Sequence, residues 1–136
     1  MEFPEAIFFD LDGVILDTEP ILSEAWSETS KEYNYNLSQD KLHEFRGRKK
    51  VDCAKKLLEW INKDILLEDL LSTYKSKLSN KIFKAKPFKG ALDLINFCIK
   101  IKLPIALVTS SSSESFKIKS LVNPWLNLFP IKNSWR

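Results

Sequence analysis

Two aspartates two residues apart, Asp10 and Asp12, follow directly on the apolar run Ala6-Ile7-Phe8-Phe9. An apolar run that ends abruptly in acid has the pattern of a buried parallel strand running into a loop. Paired carboxylates are costly inside a plain core and make chemical sense at a solvent-accessible site. There they can serve as nucleophile, as acid/base group or as hard oxygen ligand for a divalent cation. A second polar pair, Thr109-Ser110, closes another apolar run, Ile105-Ala106-Leu107-Val108. Ligands of open parallel sheets bind outside the carboxyl ends of the strands. A right-handed crossover would make the two runs parallel neighbours, with both polar sets at one edge.

The residues between the two runs must build that crossover, and they read as helices. From Pro20, a favoured first helical residue, apolar positions recur at helical spacing through Ile21, Leu22, Ala25, Trp26 and Tyr33. Ser38 is a good N-cap for a second helix carrying Leu42 and Phe45. Val51, Ala54, Leu57, Leu58 and Ile61 mark a third, and Leu67, Leu70, Leu71, Tyr74, Leu78 and Ile82 a fourth. Residues 20–86 are therefore expected to be a helical bundle inserted between residues 1–19 and residues 87–136, with a turn at Pro87-Phe88-Lys89-Gly90. A helix through Leu94, Ile95, Cys98 and Ile99 leads to the second strand, Ile105 to Val108. Ser111-x-x-Glu114 fits a capping box that opens another helix.

The composition limits the classes of function. A chain of 136 residues, 44% hydrophobic and 29% charged, has the balance of a globular domain with a real core. No apolar run approaches the ~18 residues of a membrane span, and the N-terminus is acidic where a secretory signal would be basic, so a cytoplasmic location is expected. The two cysteines, Cys53 and Cys98, lie in no zinc or redox spacing and read as small buried hydrophobes. Residues 1–44 hold 11 acids against two bases, net −9, and residues 45–136 hold 7 acids against 19 bases, net +12. Such an asymmetry suits a metal site facing an anionic substrate, although lysines spread along helices are more commonly a solvated face. The basic segment lacks the interleaved aromatics of a nucleic-acid binder, and none is expected as a partner.

The run Phe8-Phe9-Asp10-Leu11-Asp12-Gly13-Val14-Ile15-Leu16-Asp17-Thr18-Glu19-Pro20 resembles the first motif of haloacid dehalogenase (HAD) hydrolases. The likeness is to the beta-phosphoglucomutase-like and phosphoglycolate-phosphatase-like branch, and Leu107-Val108-Thr109-Ser110 is similar to its second motif. The resemblance implies an α/β fold: a HAD-like Rossmannoid parallel sheet, incomplete in this chain, with an all-α cap. It implies a phosphatase, a phosphoric monoester hydrolase acting on a small phosphorylated metabolite. Asp10 would be the nucleophile, forming an aspartyl phosphate, and Asp12 the acid/base. Mg²⁺ would be held by Asp10 and the Asp12 backbone carbonyl, and Thr109 and Ser110 would bind phosphate. Arg46-Gly47-Arg48-Lys49-Lys50 looks like the basic cap loop of related enzymes, which makes Gly47 and Lys50 candidate substrate contacts. Leu22 stands where the mutase carries a histidine, a departure that favours a plain phosphatase; the sole histidine, His43, reads as a surface residue.

The resemblance also sets a limit. Family members carry a lysine downstream of the second motif and then an acidic pair that completes the metal site. After Thr109 this sequence has only Glu114 as an acid. Leu126-Asn127-Leu128-Phe129 is expected to lead toward a third strand that Pro130 to Arg136 does not continue. The expectation is a chain matching the first half of such an enzyme, truncated after the second motif, with strand one at an exposed apolar edge, a monomer where folded, and impaired in activity. The alternatives are a noncatalytic remnant acting as a binding or partner-dependent module, and a sugar phosphomutase if further sequence completes it.

Overall fold

A computed structural model describes residues 2–129, and residues 131–134 for the backbone alone. The chain divides into two compact units, residues 1–18 with 82–136, and residues 19–81.

The first unit is built on a parallel sheet. Strand β1 (Ile7–Asp10) pairs with β4 (Ile105–Thr109), and β4 pairs with β5 (Ile131–Ser134), in the order β1-β4-β5. The register aligns Ile7 with Ile105 and Asp10 with Val108, so the chain leaves both strands at the same end. Phe9, Ile105, Ala106 and Leu107 are buried, whereas Phe8 is 74% exposed because β1 is an edge strand in this sheet. Phe9 meets Phe129 edge to face, with ring centroids 5.8 Å apart. Helix α5 (Ala91–Lys100) buries Ile95 and Cys98, and α6 (Ser113–Val122) buries Lys119.

Three features of this unit depart from the sequence reading. A third strand exists: Ala106 to Thr109 pair in parallel with Ile131 to Ser134. Ladder hydrogen bonds come from the backbone, and a lysine-bearing polar segment is what an edge strand tolerates, so the missing apolar pattern there did not preclude pairing. Pro130, Trp135 and Arg136 lie outside the described residues. A second sheet of two short strands, β2 (Leu16–Asp17) and β3 (Lys86–Pro87), is antiparallel. It is continued by the Phe88 amide donating to the Ile15 carbonyl at 2.9 Å. The capping box at Ser111 is not formed either. The N-cap of α6 is Ser112, whose hydroxyl accepts from the Ser115 amide at 3.2 Å.

The second unit holds four helices, α1 (Glu19–Glu32), α2 (Gln39–His43), α3 (Lys50–Ile61) and α4 (Leu67–Ser79). Ser38 caps α2 by accepting from the Lys41 amide. Helix α4 stops at Ser79, and Ile82 falls instead in a 3₁₀ turn (Ile82–Lys84) of the first unit, although its spacing continues the helical pattern. Ala25, Trp26, Leu42, Phe45, Cys53, Ala54, Leu57, Ile61, Leu70 and Tyr74 form one buried cluster. Trp26 anchors it, stacked on Tyr74 at 3.8 Å and edge-on to Phe45 at 5.2 Å. At one end of the unit, Lys81 bridges Glu24 at 3.0 Å and Glu28 at 2.7 Å. Its ammonium is the largest cause holding the Glu28 carboxyl below the usual glutamate value. Among the described residues no helix is long and apolar enough to cross a membrane.

Candidate functional site

The site is assembled where β1 and β4 end. β1 ends at Asp10, whose Oδ1 accepts from the next amide, Leu11 N, at 2.8 Å. Leu11 then plunges into the core, fully buried, and this anchors the start of the loop. The loop closes on itself: the Ile15 and Leu16 amides both donate to the Leu11 carbonyl, and the Gly13 amide donates to the Leu16 carbonyl. Gly13 has φ +76°, and a Cβ built there would meet nothing within 4 Å. Its requirement is therefore conformational, a left-handed position that L side chains rarely adopt. Asp10 is exposed on one side of the buried Leu11 and Asp12 half-buried on the other, so the Asp-x-Asp spacing holds two carboxylates outside the core with an apolar pin between them.

On β4, Thr109 is buried and Ser110 exposed. The Thr109 Oγ1 accepts from the Ser111 amide at 3.0 Å, a tight turn at the strand end. With its oxygen engaged as acceptor, the Thr109 hydroxyl retains its own proton for donation. Thr109 follows Val108, the register partner of Asp10, so a carboxylate and a hydroxyl stand on adjacent strand ends.

Asp12 is held by residues the sequence reading did not single out. Ser111 Oγ donates to Asp12 Oδ2 at 2.7 Å, and Lys119 Nζ donates to Asp12 Oδ1 at 2.8 Å. Lys119 also reaches Ser111 Oγ at 2.8 Å, which closes the triangle. This explains why Ser111 does not cap α6: its hydroxyl is committed to the acid and its amide to Thr109. A cation therefore stands in the core unit beside the loop after β1, on a residue that the sequence reading did not name. The Lys119 side chain is only 5% exposed and its ammonium pairs with Asp12. No local pattern in the sequence marks it, since the apolar residues of α6 include the exposed Leu121 and Val122 while the lysine faces inward. Asn123, the C-cap of α6, is buried beside it and donates to the Ala85 and Lys119 carbonyls.

Gly47 and Lys50 belong to the helical unit. Gly47 sits in the turn before α3 at φ +69°, and Lys50 is the first residue of α3; both are exposed. In the same unit Arg46 pairs with Glu19 at 3.5 Å.

The donors fit Mg²⁺ in kind. On the family resemblance Asp10 would contribute its carboxylate and Asp12 its backbone carbonyl, and the Asp12 side chain, which accepts from Ser111 and Lys119, is not called on. Among the described residues no group of three or more His, Cys, Asp or Glu side chains comes together. A small donor set of hard oxygens still suits an ion that takes one or two carboxylates and fills its shell with water and substrate phosphate.

Comparisons with known proteins agree with this architecture. The chain is 29% identical over 117 residues to a probable pseudouridine-5'-phosphatase of Saccharomyces cerevisiae, an alignment covering 85% of this chain and 50% of that protein. It is 26% identical over 110 residues to a phosphorylated carbohydrates phosphatase of Thermotoga maritima, covering 79% and 50%. The chain thus spans about half the length of these curated relatives. A haloacid dehalogenase-like family hydrolase from Streptococcus pneumoniae superposes with a TM-score of 0.81 at 20% identity, over 96% of this chain and 61% of that one. A family IA HAD hydrolase from Entamoeba histolytica gives 0.75 at 25% identity, over 97% and 62%. The family model for haloacid dehalogenase-like hydrolases matches residues 7–131, from the first residue of β1 into β5, and the chain belongs to that family.

Proposed function

We propose that this chain carries the phosphoryl-transfer site of a Mg²⁺-dependent phosphoric monoester hydrolase that acts on a small phosphorylated metabolite through an aspartyl phosphate on Asp10. The observation that carries the reading is the shared edge of β1 and β4, with Asp10 exposed at one strand end and Thr109 beside it on the next. In this reading Asp10 attacks phosphorus, and the ester P–O bond breaks as the Asp10 O–P bond forms. Asp12 delivers a proton to the departing oxygen, then takes one from the water that attacks the aspartyl phosphate and releases Asp10. Thr109 and Ser110 donate hydrogen bonds to phosphate oxygens. Bound Mg²⁺ would supply the positive charge that lets an anionic carboxylate approach an anionic phosphate. Gly47 and Lys50 are assigned as substrate contacts on the resemblance alone. Residues 20–86 are assigned as the cap on the same ground, between core segments 1–19 and 87–136.

A noncatalytic phosphate-binding or partner-dependent module is the second reading. It is favoured by the lack of a third acidic side chain near Asp10 and Asp12 among the described residues. Hydrolysis of 4-nitrophenyl phosphate separates the two. The first reading expects turnover that needs Mg²⁺, stops with EDTA and is lost in Asp10→Asn, whose amide cannot accept a phosphoryl group. Turnover that survives both EDTA and Asp10→Asn would overturn the assigned chemistry. No turnover, with phosphate binding retained, would select the module.

A further inference from the structure

Resting on the phosphoryl-transfer reading above, we propose that Lys119, together with Ser111, is a positioning residue that fixes the Asp12 carboxylate for proton transfer at the substrate oxygen. Three short hydrogen bonds close a triangle: Lys119 Nζ to Asp12 Oδ1 at 2.8 Å, Lys119 Nζ to Ser111 Oγ at 2.8 Å, and Ser111 Oγ to Asp12 Oδ2 at 2.7 Å. Both carboxylate oxygens are thereby held from one side, and rotation of the carboxylate about its terminal bond would break two bonds at once. An exposed lysine tethered to an acid would impose little, because it trades that partner for water. Lys119 is different, since its side chain is only 5% exposed and a buried ammonium is unfavourable without its partners. The ammonium and the carboxylate each depend on the other staying in place.

The triangle also spans the elements that matter. Asp12 lies in the loop leaving β1, Ser111 in the turn leaving β4, and Lys119 on the helix that follows. It therefore ties the loop that leaves β1 just after Asp10 to the turn that follows Thr109. Acid/base catalysis depends on placing the proton within hydrogen-bond reach of the reacting oxygen, and a side chain locked by its neighbours holds that geometry better than a mobile one.

The experiment compares wild type, Lys119→Met, Lys119→Arg and Ser111→Ala on two esters. The 4-nitrophenolate leaving group departs with little help from a proton, whereas the alkoxide of glycerol phosphate needs one. A positioning role predicts that Lys119→Met lowers kcat/KM for glycerol phosphate about tenfold more than for 4-nitrophenyl phosphate, with Ser111→Ala smaller in the same direction and Lys119→Arg largely restoring the ratio. A purely structural role lowers both esters equally, and that result, or no change, overturns the proposal. Asp10→Asn runs in parallel. If it retains turnover, or wild type has none, the phosphoryl-transfer reading fails instead, and the clamp is decided by NMR of the ¹⁵N-labelled lysine ammonium groups. The clamp predicts one slowly exchanging ammonium signal that is absent from Lys119→Met and lost in Asp12→Ala. Its absence from wild type overturns the clamp itself.

Discussion

Replacing Trp26 by alanine should unfold the helical unit. The indole is 4% exposed, stacks on Tyr74 with an interplanar angle of 16°, and meets Phe45 at 69°. Burial is also what raises the Tyr74 phenol above its ordinary value, so the stack lies deep in the cluster. Truncating a buried tryptophan to alanine costs about 3–5 kcal/mol, and each aromatic pair adds about 0.5–1.5 kcal/mol beyond area burial. A unit of roughly 60 residues has about 3–9 kcal/mol of stability to lose at the usual value per residue. The perturbation is thus as large as the whole. Trp26→Phe keeps a ring against Tyr74 and should lose only about 1–2 kcal/mol. Far-UV circular dichroism melts of the full chain provide the assay. Trp26→Ala should lose helical signal already at room temperature or melt more than about 15 °C below wild type, with Trp26→Phe between them. A Trp26→Ala melt within about 5 °C of wild type would refute the claim that this stack organises the unit.

Other outcomes follow from the same structure. Burial pushes the Cys53 thiol up to about 11, so it should resist alkylation at mildly alkaline pH in the folded chain and react in denaturant; rapid native labelling at Cys53 would contradict its placement. The Lys81 hydrogen bond is the first cause holding Glu28 below its ordinary value of 4.5, so its contribution to stability is fully present above that pH and fades as pH falls through the lowered value. Hydrogen bonding to Glu28 and Glu24 raises Lys81 above its ordinary value of 10.5, so that contribution is complete below 10.5 and lost as pH rises through the raised value. Melts across pH should show both flanks, and Lys81→Met should flatten them; unchanged flanks in Lys81→Met would assign them elsewhere. Ser112→Ala should cost about 1 kcal/mol through loss of the cap on α6, whereas no loss in a denaturant titration would return the capping role to another residue.

What the sequence disclosed, and what it hid, divides by the range of the interactions. Strands β1 and β4 were legible because each is a short apolar run, too brief for a helix, that stops sharply at acid or threonine. Helix α3 was legible because Val51, Ala54, Leu57, Leu58 and Ile61 repeat at helical spacing, and α2 because Ser38 is a good cap. Ile82 misled because a helical period can continue past the point where the backbone turns away. Strands β2, β3 and β5 were hidden for a different reason: two-residue bridges and a polar edge strand are stabilised by backbone pairing that leaves no side-chain pattern. Lys119 was hidden by distance along the chain. It meets Asp12 across 107 residues, and only the packing of α6 against the loop after β1 brings a lysine from a basic stretch inward. Ser111 shows the same limit, since its local capping pattern yields to a partner 99 residues away.

Whether Asp10 accepts the phosphoryl group can be read by borohydride trapping. An aspartyl phosphate is an activated acyl group that borohydride reduces to homoserine, while free carboxylates are left intact. The full chain is incubated with Mg²⁺ and a small phosphoryl donor such as acetyl phosphate, reduced, digested and read by mass spectrometry. An aspartyl phosphate on Asp10 yields homoserine at position 10, dependent on Mg²⁺ and donor and absent from Asp10→Asn. Homoserine at Asp12 or another acid, or an unmodified Asp10 in a chain that turns over the donor, would contradict it.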